Sequence, residues 1–406
     1  MNLVVDCFKL VKGAGKSIGI YNLAKSIVTH LGEKALREQE GLKHAGQTII
    51  VLGNAYNRKD FDVPGVTFVE MKGNPQNKIY CILWELMLVV RYADKYHADR
   101  ILFPRGFRPL GGIKSAGIRA GGRSIRDTII IHDLIPFYYD KYYPGVFNKL
   151  ENAYIMNRMK ASIRRADRVI TISDYSKQDI LDKVPGCESK ITVINNGLND
   201  VSFDRSGEGN QGKNMGGDAG GDRREDTAEN GAKKRYIVAM TSALPHKNAK
   251  GVLSAYEAYY RQTENPLELL VIGIADSSFY PEMDREAAGH VTFCKFVEKF
   301  DELCRMVAEA EAYLFLSYVE GFGFPPLEAM QLGVPVVCSC RSSLPEVVGD
   351  AGVLVEPDDL DAVGKALVKV TTDQAFREEL IGKGYENIRR FSWDSRTDLY
   401  WEELFR

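Results

Sequence analysis

Two glutamates eight residues apart, Glu320 and Glu328, stand in "YVEGFGFPPLEAMQLGVPVV" (318–337), a stretch otherwise poor in charge. Gly321 and Gly323 allow a tight turn between them, and Pro325 and Pro326 suit the start of a helix, where intrahelical donors are not needed. Glu328 then falls in the first turn or so of that helix. There a carboxylate can hydrogen-bond a ribose diol while the helix end faces a phosphate. Glu320, across the glycine turn, reaches a different part of the same ligand. The spacing fits a grip on two ends of one long ligand better than an acid–base pair. A capping glutamate and a solvent-facing one would be the bland alternative.

The elements that must position these groups read as repeated apolar strands and amphipathic helices. Strands are expected at 2–8, 48–53, near 100–106, in "DTIIIHDL", in "ADRVITIS" and in "KITVINNGL", with helices at about 18–31 and 80–93. A second series follows in "RYIVAMTS", "LELLVIG", "VTFCKFV", "AYLFLS", "VPVVCS" and "AGVLVEP". Its helices are expected near 249–262, 301–311, 326–332, 359–367 and 374–387, with a last one through "DLYWEELF", and Gly333 is placed to end the short third helix. Such alternation gives a parallel sheet covered on both faces. The fold class is therefore α/β: two Rossmann-like domains facing a central cleft, with ligands at the C-terminal ends of the strands. The expected division is residues 1–205, a glycine-rich insertion at 206–234, a second domain at 235–390, and a C-terminal helix at 391–406 packing back on the first domain. The insertion has almost no large apolar side chain and cannot repay the entropy of ordering; a recognition tail is the rival reading.

Composition narrows the function. The chain has 406 residues and a formal net charge of −2, which gives no reason to expect nucleic acid as partner. Seven cysteines without C-x-x-C pairing suit a reduced, cytoplasmic protein rather than a zinc site. The tract "CILWELMLVV" is too short to cross a bilayer, and retention at the inner membrane face stays compatible with it. "GAGKS" at 13–17 lacks the first glycine of a Walker A loop, since Leu10 stands there. Gly13, Ala14 and Gly15 can still bring backbone N–H groups close to an anion or sugar. An ordinary strand–helix turn would explain the same glycines.

The signature at 318–337 resembles the E-x7-E segment of retaining, nucleotide-sugar-dependent glycosyltransferases of family 4, which have GT-B architecture. "TSALPHKN" resembles that family's diphosphate loop, "SSLPEVVGDAGVLVEPDD" the segment after the signature, and "IHDLIPFYY", "TISDYSKQDI" and "VINNG" its N-domain landmarks. The resemblance covers most of the chain outside 206–234 and 32–47. It implies that Glu328 holds the ribose, and that Glu320 with the backbone of Gly321, Phe322, Gly323 and Phe324 meets the donor sugar. It implies that Lys247 neutralises the departing diphosphate, that His132 contacts the sugar near the reacting carbon, and that Gly13 and Gly15 lie near the diphosphate. Asp133 would organise the turn after His132. Many relatives carry an arginine where Ser242 stands, so His246 or Arg341 would share the charge. Ser173 and Asn196 read equally as cleft-edge groups or as caps.

The implied reaction is transfer of mannose or rhamnose from a nucleotide-diphosphate sugar to a growing glycan or lipid-linked oligosaccharide. It would need no metal and no cofactor beyond the donor. Attack comes from the front face, and the departing phosphate helps to take the acceptor proton. Tyr138, Tyr139, Tyr142 and Tyr143 offer stacking surface for such an acceptor, or simply form a folded aromatic cluster. An epimerase or hydrolase would use the same donor pocket, and a non-catalytic partner subunit would only bind the donor.

Overall fold

The computed structural model describes residues 1–13, 18–40, 46–110, 118–120, 123–201 and 235–406. Ala14, Gly15 and the whole insertion at 206–234 lie outside them. The described chain divides into two units, one of residues 1–197, 320–322 and 391–406 and the other of residues 198–319 and 323–390.

Unit 1 is built on β1 (Asn2–Asp6), β2 (Thr48–Gly53), β3 (Thr67–Glu70), β4 (Arg100–Phe103), β5 (Ile118–Ala120), β6 (Arg123–Ile131), β7 (Arg168–Thr171) and β8 (Ile191–Val193). The strand order is β3-β2-β1-β4-β6-β7-β8, and every neighbour on that path is parallel. The exception is β5, which pairs antiparallel with the start of β6. Fully buried Val4, Leu52, Ile101, Ile129 and Val169 lie between the sheet and its helices. Each such side chain contributes about 1.5–3 kcal/mol by leaving water, which is why the strands read as unbroken apolar runs.

Three features of unit 1 depart from the sequence reading. The first helix runs on to Glu40 (Ile18–Glu40), past the expected end at Leu31. The C-terminal helix Trp393–Phe405 packs along it. Lys34 pairs with Asp398 at 2.6 Å and lies over the Trp401 ring. The apolar tract is helical from Lys78 to Lys95 but passes through a π-turn at Trp84–Leu88. This wider turn buries Trp84 against Phe8, with ring centroids 4.3 Å apart, and sets Glu85 beside Lys9 and Arg158. Finally, buried Asn54 and Asn57 donate to the carbonyls of Cys7, Phe8 and Leu10 at 2.7–3.1 Å, so they pin the loop that leaves β1.

Unit 2 holds β9 (Tyr236–Met240), β10 (Glu268–Ile272), β11 (Val291–Cys294), β12 (Ala312–Phe315), β13 (Val336–Ser339) and β14 (Gly352–Val355). All are parallel, in the order β11-β10-β9-β12-β13-β14. Both sheets thus reverse direction beside their first strand, as Rossmann sheets do. Among the described residues no helix is long and apolar enough to cross a membrane. All seven cysteines are free thiols.

Candidate functional site

The helix Phe324–Gln331 follows β12, and its two ends are fixed by glycines. At its start Gly323 has φ +129°, a conformation that side chains avoid. At its end Gly333 has φ +75°; its N–H donates to Met330 O and that of Val334 to Ala329 O, closing a Schellman motif. Gly321 is required for a different reason, which is space. A Cβ there would stand 2.4 Å from the His132 carbonyl oxygen.

Glu328 is the fifth residue of this helix, so it sits in the second turn rather than the first. Its carboxylate lines a small pocket with Met240, Phe300, Cys304 and Tyr313. No donor among the described residues reaches it, and burial pushes its pKa up. A half-buried carboxylate in an apolar pocket is costly unless something hydrogen-bonds to it. Ser317, just after β12, presents a second such group: its hydroxyl is buried without a partner among the described residues. Sequence reasoning passed over Ser317, although a polar residue directly after a central strand was the available signal.

The loop after β9, the strand next to β12, carries Ser242 and Lys247. Thr241 Oγ1 donates to Lys247 O at 2.7 Å, and Asn248, at φ +55°, caps the next helix through Gly251 N–H. Asn248 also donates to Leu316 O at 3.1 Å, and Tyr318 N–H donates to His246 O at 2.8 Å, so the loops after β9 and β12 are stitched together. The Lys247 ammonium is half-buried, 5.7 Å from the Phe315 ring centroid. Ser242 shapes this turn by accepting from Leu244 N–H. Pro325 and Pro326 carry no N–H, so an anion at the helix start would be met by Gly323 and Phe324.

His132, Asp133, Ser173 and the segment 320–322 come together in unit 1. His132 follows β6, and its Nε2 lies 2.7 Å from Pro104 O, so the proton sits on that nitrogen. Burial lowers its pKa, which keeps the ring neutral and leaves Nδ1 as an acceptor. Asp133 accepts from Ile135 N–H at 3.0 Å and shapes the following turn. Ser173 caps its helix through Ser176 N–H, as one of its two readings had it, and also donates to Gly321 O at 2.9 Å. Glu320 is half-buried and Phe322 is buried, edge-on to Phe391.

Other expectations fare differently. Gly13 lies in an exposed turn at φ +77°. Arg341 cannot lend a spare charge, because Glu356 and Asp358 already hold its guanidinium. His246 is buried. Tyr138, Tyr139, Tyr142 and Tyr143 form a mutual aromatic cluster in which Tyr139 is buried and Tyr142 exposed. Asn196 is buried with neither side-chain atom partnered among the described residues. Among the described residues no three His, Cys, Asp or Glu side chains converge as metal ligands.

Two family models match the chain: "Glycosyltransferase Family 4" over residues 36–201 and "Glycosyl transferases group 1" over residues 222–387. The O-antigen chain mannosyltransferase B of Escherichia coli is 28% identical over 276 residues, 67% of this chain and 68% of that protein. The O-antigen chain mannosyltransferase RfbU of Salmonella typhimurium is 29% identical over 57% of each chain. Among solved structures, a sucrose-phosphate synthase from Thermosynechococcus elongatus aligns over 100% of this chain and 98% of its own, with TM-score 0.62 and 18% identity. HepE of Anabaena in complex with UDP-glucose aligns over 100% and 99%, with TM-score 0.61 and 16% identity.

Proposed function

Because the chain belongs to glycosyltransferase family 4 and has the two-domain GT-B fold, we propose that it transfers mannose from a nucleotide-diphosphate donor to a glycan acceptor with retention of configuration. The observation that carries this reading is the Glu328 carboxylate, unpartnered among the described residues and poised at the C-terminal side of the unit 2 sheet to take a ribose diol. The mannosyltransferase relatives favour mannose over rhamnose, and the UDP-glucose complex of HepE supports a nucleotide-sugar donor.

In this mechanism the ribose is held by Glu328, and the diphosphate by Lys247 with the N–H groups of Gly323 and Phe324. Charge that develops on the leaving phosphate is thereby met without a metal by groups already in place. His132 Nδ1 accepts from a sugar hydroxyl, and Glu320 with the 321–322 backbone positions the ring. The acceptor hydroxyl attacks the anomeric carbon on the face the diphosphate leaves. Its proton passes to the leaving phosphate oxygen, so the C–O bond to phosphate breaks as the glycosidic bond forms. Residence in the cytoplasm, with peripheral attachment to the membrane when the acceptor is lipid-linked, belongs to the same reading.

Product analysis tests it. Incubation with GDP-mannose and an alkyl α-mannoside should give one α-linked disaccharide per GDP released, with the anomeric configuration read by NMR. Free mannose alone would indicate a hydrolase, and an altered sugar still on the nucleotide an epimerase.

A further inference from the structure

The edge of the unit 1 sheet where its strands begin gathers three arginines. Arg100 opens β4, Arg126 lies in the polar first half of β6, and Arg168 opens β7. Arg100 and Arg126 are direct partners in the β4–β6 pairing, and Arg168 partners Thr128, two residues on from Arg126. Residues two apart on a strand share a face, so all three arginines lie on one face of the sheet, across two strand spacings of about 4.8 Å each. His132 follows the other end of β6, so this edge faces away from the residues assigned to the donor sugar.

The charges in this row are poorly answered. Arg100 is only 6% exposed, yet neither it nor Arg126 makes a hydrogen bond or ion pair among the described residues. Glu403 reaches the same face from the C-terminal helix, where it lies 3.5 Å from Arg168 Nε and accepts from Thr192 Oγ1 at 3.1 Å. Asp99 accepts from Asn2 N–H at 2.8 Å. Both carboxylates attract Arg100 without bonding to it. Burial, with repulsion from Arg126 and Arg168, lowers its pKa. Like charges opposite each other in a sheet are destabilising, and a buried guanidinium with unused donors is costly unless an acceptor meets it. Three cations against two shared carboxylates leave one positive charge over. Guanidinium forks match phosphate oxygens two at a time, and linked phosphates carry enough oxygens to serve three arginines on adjacent strands.

We propose that Arg100, Arg126 and Arg168 form a second anion site, which binds the phosphate groups of a ligand at the strand-start edge of unit 1. The site is independent of the transferase reading, and either can fail without the other.

Calorimetric titration of the full chain with inorganic pyrophosphate tests it, in a Lys247→Ala background so that the diphosphate site assigned to unit 2 does not contribute. Pyrophosphate should bind. Adding Arg126→Gln and Arg168→Gln should weaken it by roughly tenfold or more, since each change removes charge-assisted hydrogen bonds. Both side chains are exposed, so the fold should survive. Tryptophan emission from Trp84, Trp393 and Trp401, all in unit 1, reports that it does. Glu403→Gln should tighten binding, because it removes the carboxylate that competes for Arg168. Sedimentation with phosphatidylglycerol vesicles, against phosphatidylcholine vesicles, separates the sources of phosphate. Arginine-dependent binding to the anionic vesicles alone would assign a lipid headgroup, and to pyrophosphate alone a free phosphorylated compound. Absence of both, or binding that the folded arginine variants leave unchanged, would overturn the proposal. Preference for a hexaglutamate peptide over either would also overturn it, in favour of an acidic protein partner.

Discussion

Lys247→Ala should lower turnover by about 10²–10³-fold, the cost of removing one donor aimed at charge that develops in the transition state, about 2.7–4 kcal/mol. Such a donor acts mainly on the transition state, so turnover should fall far more than donor affinity. The loop should survive the change. Its shape is held by the Lys247 carbonyl, accepting from Thr241, and by Asn248, bonded to Leu316 O and Gly251 N–H, none of which uses the lysine side chain. Lys247→Arg keeps the charge and should recover part of the rate. Steady-state kinetics with GDP-mannose checks this; a loss smaller than tenfold for Lys247→Ala would remove Lys247 from the mechanism. Ser242, where many relatives carry arginine, makes the prediction sharper, because fewer cations are left to share the diphosphate charge.

Arg108→Met should destabilise unit 1 by about 3–5 kcal/mol, the usual cost of stranding one partner of a buried ion pair. Arg108 and Asp127 are almost wholly inaccessible, and Arg108 Nη2 donates to Asp127 Oδ1 at 2.7 Å. Burial pushes the Asp127 carboxyl up to about 7 despite the pull of the guanidinium, so desolvation weighs more than attraction. Breaking the pair leaves that cost uncompensated. Replacing both residues with apolar ones removes it, and Arg108→Met combined with Asp127→Leu should regain most of the loss. Urea unfolding followed by tryptophan emission reads this cleanly, since all three tryptophans lie in unit 1. Equal destabilisation in the single and double variants would show that the pair contributes more than it costs. The backbone at Arg108 also braces the π-turn: its carbonyl accepts from Arg158 at 2.9 Å, and Arg158 reaches on to Glu85.

What could be read from the sequence followed from burial. Strands covered on both faces, such as β12 and β13, are nearly continuous apolar runs and could be placed within a few residues, whereas the polar first half of β6 (Arg123–Asp127) escaped the reading. The glycine pattern around Glu320 and Glu328 was equally legible, although it did not reveal that Gly321 serves space and Gly323 serves conformation. Features set by distant partners were not legible. The polar second half of the first helix gives no apolar period, because it is supported by Asp398 and Trp401 from the far end of the chain. The π-turn at Trp84 follows from a fit to Phe8 and Asp6, not from local propensity. Asn54 and Asn57 carry no local signal, because their work in bracing the exit of β1 depends on carbonyls more than forty residues earlier. Arg341 looked available because Glu356 and Asp358, which neutralise it, belong to a later loop.

Calorimetric titration of the wild type and Glu328→Ala with GDP-mannose, UDP-glucose, UDP-GlcNAc and dTDP-rhamnose bears most directly on the donor site. The wild type should select GDP-mannose, and the variant should bind it roughly 10- to 150-fold more weakly, as expected for losing hydrogen bonds worth about 1.5–3 kcal/mol to a charged group. Unchanged GDP-mannose affinity in a folded Glu328→Ala protein would contradict the placement of the ribose on Glu328, and with it the proposed donor site.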